Sequence, residues 1–201
     1  MTEKLTSHDI KAAVASYWRY TRQYRLVAFE WGGCPGGEMA DVVAVDGWQR
    51  LIIIEVKTSL SDFRRDKFKW THRRLREATG LEEVPLPFGP IPVQKISVIE
   101  AFYFAVPRDL ANQVSMLCDE LYPYAGVLGC KGIHDYQVEV HRKPRKFQSN
   151  ALRQEQIDHL IRAQTATLCR LATKAAEEHR ERKRWQDLYR QCQKEKEARE
   201  T

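Results

Sequence analysis

Apolar and polar positions change period several times along the chain, and each change marks an element. Ile10, Val14, Tyr17 and Trp18 share one helical face, which predicts a helix from a cap at Thr6, Ser7 or Asp9 to about Tyr24. Leu26–Phe29 reads as a short strand and GGCPGG at 32–37 as a loop. Met39–Val45 and Leu51–Val56 are apolar at nearly every position, the pattern of strands covered on both faces. A helical pattern returns from Leu60 to about Glu77. VPLPFGPIP at 84–92 holds four of the eight prolines and reads as an inserted loop. Ser97–Val106 predicts a third buried strand, Arg108–Glu120 a helix, and Ala125–Leu128 and Tyr136–His141 two short strands.

From Ser149 to Arg199 there is neither Gly nor Pro, which predicts a helix of about 75 Å at 1.5 Å per residue. Ile157, Ile161, Leu168, Leu171 and Ala175 give its first half an apolar seam, interrupted from Glu177 to Arg184. The sum is a mixed α/β domain over 1–148 and a helical extension over 149–201. That extension suits a solvated appendage, a self-association or partner-binding helix, or a basic arm on nucleic acid.

At 201 residues and 43% hydrophobic content, the chain is long enough to bury a core without disulfide or metal staples. The five scattered cysteines show no CxxC spacing, and Cys130 with His134 is a poor zinc signal. With no apolar run approaching a bilayer span and no apolar segment near Met1, a cytoplasmic location and no membrane association are expected. GGCPGGE lacks the Lys-Ser/Thr of a phosphate-binding P-loop, and no nucleophile elbow occurs. His8, His72 and His141 read as surface residues.

The formal charge of +6 is unevenly distributed. Residues 1–58 hold seven basic and seven acidic side chains, and residues 77–140 three basic against nine acidic. By contrast, 59–76 holds seven basic against two acidic, and 141–146 four basic and none acidic. Such blocks are solvated helix faces or the footprint of a phosphate backbone. On the helix that follows Lys57, Arg65, Lys69, Arg73 and Arg76 lie at spacings of three and four and form one stripe, with Arg64 beside it. Together with Arg142 and Lys143 these are the candidate DNA contacts. Ser59 and Ser61 read as helix caps, and Trp70, on the face of Phe63, as core.

Ionisable groups at the end of an apolar strand need a reason, because burying an unpaired charge costs several kcal/mol. Glu55 and Lys57 project to one side of their strand, away from Ile54 and Val56. If Asp41 joins them, two carboxylates can hold a hard divalent cation while Lys57 orients or activates water, the equipment of phosphodiester hydrolysis. The bland alternative is a structural ion pair. Register decides: a tight Asp46-Gly47 hairpin sets Asp41 opposite Ile52 on the wrong face. A longer turn over Asp46–Arg50 pairs Val45 with Leu51 and brings Asp41 to Glu55. The longer turn is expected.

Asp41, thirteen residues and then Glu55-Val56-Lys57, flanked by ADVVAVDG, LIIIEVKTSLSDFRRDKFKW, AFYFAVP and AGVLGC, resemble the PD-(D/E)xK nuclease superfamily. The similarity is to its MmcB-like DNA-repair branch, over roughly 25–145, with Ala40 where the motif name has Pro. The resemblance implies a restriction-endonuclease-like α/β/α core with a mixed sheet, a Mg²⁺ or Mn²⁺ cofactor and DNA as substrate, in repair, recombination or phage DNA processing. It implies Asp41 and Glu55 as metal ligands, the Val56 carbonyl as a further ligand, and Lys57 as water-orienting base or charge stabiliser. Many members carry another acid in the first helix, where this chain offers only Asp9. Glu30 is the substitute catalytic carboxylate, with Glu38 behind it. An RNA substrate, and a catalytically weak DNA-binding module on the same fold, are the alternatives.

Overall fold

The computed structural model of the chain describes residues 4–33, 38–79, 98–131 and 137–200. The Pro-rich stretch 84–92, Cys34 and His134 lie outside them. One six-stranded sheet runs in chain order: β1 (Leu26–Trp31), β2 (Ala40–Val45), β3 (Leu51–Val56), β4 (Ile99–Pro107), β5 (Gly126–Lys131) and β6 (Gln137–Arg142). The first three are antiparallel neighbours, β3–β4–β5 are parallel, and β6 closes the edge antiparallel to β5. The fold is therefore α/β with a mixed sheet.

The unbroken apolar runs of β2 and β3 follow from cover on both faces. Val42, Ala44, Ile52, Ile54 and Val56 pack with Ile10, Ala13 and Val14 of α1 (Ser7–Ser16) and with Trp18 in the π-helical turn that extends it to Thr21. Val43, Val45, Leu51 and Ile53 face the other way. They pack with Phe63 of α2 (Leu60–Arg65), Leu75 of α3 (Trp70–Ala78) and Ala111, Val114 and Cys118 of α4 (Arg108–Leu121). The layers are helix, sheet, helix. Gly129 of β5 is held to glycine by crowding, since a Cβ there would stand 2.6 Å from the His141 ring and 3.1 Å from Ala111 of α4.

The β2–β3 turn takes the longer form. The Asp46 N–H donates to the Arg50 carbonyl at 3.1 Å, and Gln49 takes a positive φ of 61°. The Asp46 carboxylate accepts from the Trp48 and Arg50 N–H groups at 2.8 and 2.9 Å and holds the Arg50 guanidinium at 2.6 Å. Val45 consequently pairs with Leu51, and Val42 with Ile54.

Three expectations change. The helix over 60–77 is broken: α2 ends at Arg65, a 3₁₀ turn covers Asp66–Phe68, and α3 starts at Trp70 after Lys69 leaves the helical region at ψ 142°. Second, α5 (Gln154–Glu200) opens inside the globular unit, with Leu152 and Leu160 buried in the core. The first compact unit runs to Ala163 and the second is Gln164–Thr201, a later division than the expected 148/149. Third, Leu160 rather than Ile161 is the anchor of the seam; Ile161, Leu168 and Leu171 are exposed. Leu160→Ala should cost about 2–5 kcal/mol in chemical denaturation. A chain ending at Ala163 should keep the melting transition that a chain ending at Gln148 loses.

Candidate active site

The β2–β3 ladder stops at the Val42–Ile54 pair, and one step beyond it Asp41 stands opposite Glu55. Both share the strand parity of Val43 and Ile53, and so does Lys57. There a side chain replaces backbone pairing: Asp41 Oδ2 accepts from the Val56 N–H at 2.8 Å. Val56 thus enters the site through its N–H. The residues lie at the carboxyl end of β3, the sheet end where open α/β sheets bind ligands.

Each carboxylate meets a lysine. Lys11 of α1 reaches Asp41 Oδ1 at 2.9 Å and Glu30 at 3.5 Å, so Glu30 joins the site across Lys11. Lys69 reaches Glu55 at 2.8 Å and Asp66 at 3.0 Å. Lys57 points mainly at Asp66, at 2.7 Å, with Glu55 at 3.9 Å. Glu55 and Lys57 are only 6% and 5% exposed. Burial pushes the Glu55 carboxyl up to about 7 even though Lys69 opposes the shift, and the charges of Asp41 and Asp66 add to it. Lys69 is raised in turn: burial works against its charge, but Glu55 and Asp66 outweigh it.

Sequence reasoning missed Lys11, Asp66, His72 and Tyr124. Asp66 is the meeting point, accepting from Lys57, Lys69 and His72 Nε2, the last at 3.0 Å. Burial disfavours its charge, yet the bonds from His72 and Lys57 hold its carboxyl well below the usual range. His72, expected at the surface, is 0% exposed among Phe102, Phe104, Tyr122 and Tyr124. Burial pushes its pKa down, which makes it neutral at neutral pH. A carboxylate only accepts, so Nε2 carries the proton toward Asp66. Nδ1 then accepts the Tyr124 hydroxyl proton at 2.7 Å. A chain of directed bonds therefore runs Tyr124, His72, Asp66, and Lys57 meets it from the strand.

The break before α3 aims Lys69 inward. Its carbonyl accepts from the Arg73 N–H at 3.3 Å, and the Glu38 carboxylate accepts from the Thr71 N–H at 3.1 Å, capping α3 from a position 33 residues away. The expected basic stripe is thereby dismantled. Arg64 and Arg65 stay exposed, Arg65 beside Asp62 at 3.5 Å. Arg76 donates to the Leu121 carbonyl at the end of α4 and lies over the Tyr122 ring. Ser59 caps α2 as expected, accepting from the Asp62 N–H at 3.3 Å, and Asp9 closes a capping box with Thr6.

Arg142 and Lys143 belong to the β6 edge of the sheet, three strands from β3. Arg142 pairs with Val127 of β5, which stands level with Phe104 of β4 and so with Glu55 of β3, three strands away along one row of the sheet. Its guanidinium binds the Ser115 and Pro123 carbonyls at 3.1 Å and the Asp119 carboxylate, tying β6 to α4. Lys143 follows it, exposed.

Among the described residues no three His, Cys, Asp or Glu side chains form a ready metal cage. Mg²⁺ rarely uses one, taking one or two carboxylates and completing its shell with water and substrate phosphate. Asp41 and Glu55 fit that demand. Glu30, Asp41, Glu55 and Asp66 meet the ammonium groups of Lys11, Lys57 and Lys69, and burial first, then the charges of Asp41 and Asp66, raises the Glu55 pKa.

A scan of protein-family models finds no match to the chain, and a search of curated proteins finds none either. Among solved structures the chain is similar to the SPO1766 protein of unknown function from Silicibacter pomeroyi. Identity is 17% and the TM-score 0.49, over 85% of this chain and 91% of that one.

The electrostatics set the outcome of three substitutions. Because folding raises the Glu55 pKa from 4.5 to about 7, its contribution is full below pH 4.5 and is lost as pH rises through 7. In metal-free buffer Glu55→Gln should therefore melt above wild type at pH 8, by about 1–3 kcal/mol, with the advantage gone at pH 4.5. Asp66→Ala strands two buried donors and should cost about 3–5 kcal/mol in urea unfolding. Asp62→Ala, at a half-exposed carboxylate, should stay within about 0.5 kcal/mol.

Proposed function

We propose that the chain is a metal-dependent deoxyribonuclease of the PD-(D/E)xK type, acting on DNA in repair, recombination or phage DNA processing in the cytoplasm. The observation that carries this reading is the pair Asp41 and Glu55 on one sheet face beside the strand-end Lys57, with the register that sets them opposite each other. Asp41 and Glu55 would hold Mg²⁺ or Mn²⁺, with the Val56 carbonyl as a further ligand. Bound there, such an ion supplies Lewis-acid stabilisation of the phosphate and a nucleophile at neutral pH.

The residues of the chain do the rest. Asp66 fixes Lys57 as a hydrogen-bond donor, which suits it to hold a phosphate oxygen and stabilise its charge better than to accept a proton. Lys69, less buried than Lys57, can exchange Glu55 for a backbone phosphate. Arg64 and Arg65 stand exposed on α2, close in sequence to Lys57, as non-specific phosphate contacts. Nothing in this chemistry separates DNA from RNA, and the 2′-hydroxyl contact that would do so is the point to test.

A second reading has its own support. Lys11 and Lys69 lie directly on the two carboxylates, as they would in a DNA-binding or repair-recruitment module whose lysines stand in for the ion. The two readings separate on a cleavage panel of duplex, single-stranded, flap and junction DNA with matched RNA. The nuclease predicts cleavage that requires Mg²⁺ or Mn²⁺ and falls at least about a hundredfold in Glu55→Ala and Lys57→Ala, while salt-dependent DNA binding persists. Binding without metal-dependent turnover on any substrate favours the module.

A further inference from the structure

The second unit, Gln164–Thr201, carries a repeat that the nuclease reading does not use. Leu168, Leu171, Ala175, Glu178, Arg182, Trp185, Tyr189 and Cys192 follow one another at alternating steps of three and four, the seam of a two-stranded coiled coil. Every residue from Leu168 to Arg190 is exposed, Trp185 at 71%. An apolar helical seam of about 36 Å laid open to water marks an interaction surface.

Its centre identifies the occupant. Glu178 and Arg182 interrupt the apolar positions, and they are equidistant from position 180. In a parallel, in-register pair each would meet its own copy, carboxylate on carboxylate and guanidinium on guanidinium. Trp185 would then crowd Trp185 while Ala175 left a void against Ala175. Reversing one helix about position 180 removes both faults. Glu178 of one copy then faces Arg182 of the other, Ala175 faces Trp185, and Leu168 faces Cys192. Opposite charges meet at the centre, and small residues meet large ones on either side. A single polar layer inside an apolar seam is the usual device for fixing register and orientation.

We propose that residues 168–192 are a homodimerisation surface whose partner is the same segment of a second copy, paired antiparallel about position 180. The break in the apolar seam is then the element that selects orientation. The proposal stands independently of the nuclease reading.

Light scattering on the full chain at micromolar concentration should give twice the 23.5 kDa chain mass. Glu178→Arg and Arg182→Glu should each weaken the dimer at least about tenfold by setting like charges together, and combining them in one chain should restore it. Restoration by the double variant also shows that the swaps leave the helix folded. In a background with Cys169→Ser and Cys192→Ser, Ala175→Cys chains mixed with Trp185→Cys chains should cross-link to each other, and Trp185→Cys alone should not. A monomer, a dimer indifferent to the charge swaps, or cross-linking of Trp185→Cys to itself would each overturn the proposal.

Discussion

Asp66 is the group on which the candidate site depends. A carboxylate with almost no solvent contact must be matched by donors, and it receives them from three places: the end of β3, the turn before α3, and α3 itself. By drawing Lys57 and Lys69 to one point it decides what each lysine can do. Lys57 is held as a donor beside the site, while Lys69 spans Asp66 and Glu55 and is the more exposed of the two. The aromatic box around His72 keeps water from the other side of Asp66, so the orientation of that carboxylate is set by Tyr124 through His72. Removing a charge from this arrangement strands the others in a low-dielectric setting, where an unmatched group is expensive.

Around that centre the fold buries one carboxylate beside two others. Glu55 is buried, flanked by Asp41 and Asp66, and held with its carboxyl near neutrality. Lys11 and Lys69 only partly answer this. A divalent cation would answer it more fully, and a phosphate arriving with that cation would give the released lysines a new partner. Ion and substrate would thus reinforce one another. Other basic residues are used differently: Arg142 ties β6 to α4, and Lys146 answers the buried Glu100 at 2.9 Å.

What could be read in advance depended on range. The strands, the α/β class and the β2–β3 register were legible because apolar runs and strand parity are local, and because only the longer turn brought Asp41 to Glu55. The helix break at Lys69 was not. Its cap is Glu38, brought to Thr71 by the tertiary fold, and nothing within one helical turn of Lys69 announces it. The stripe drawn on an unbroken helix therefore failed, and with it the shared role of Lys69 and Arg76. His72 and Asp66 were hidden for a related reason: inside a strongly basic segment a buried ionic cluster has the composition of a solvated face. Lys11 was passed over because the search of α1 was for an acid. Leu160, one residue from Ile161, shows how a seam can be recognised while its buried member is misassigned.

The proposed nuclease requires Asp41 and Glu55 to form a cation site whose glutamate carries a proton until the ion arrives. Titrating Mn²⁺ calorimetrically at pH 6, in buffers of different ionisation enthalpy, tests this directly. Saturable binding should come with proton release, and Glu55→Gln should lose both the release and most of the affinity. Binding of equal strength and equal proton release in Glu55→Gln would contradict it.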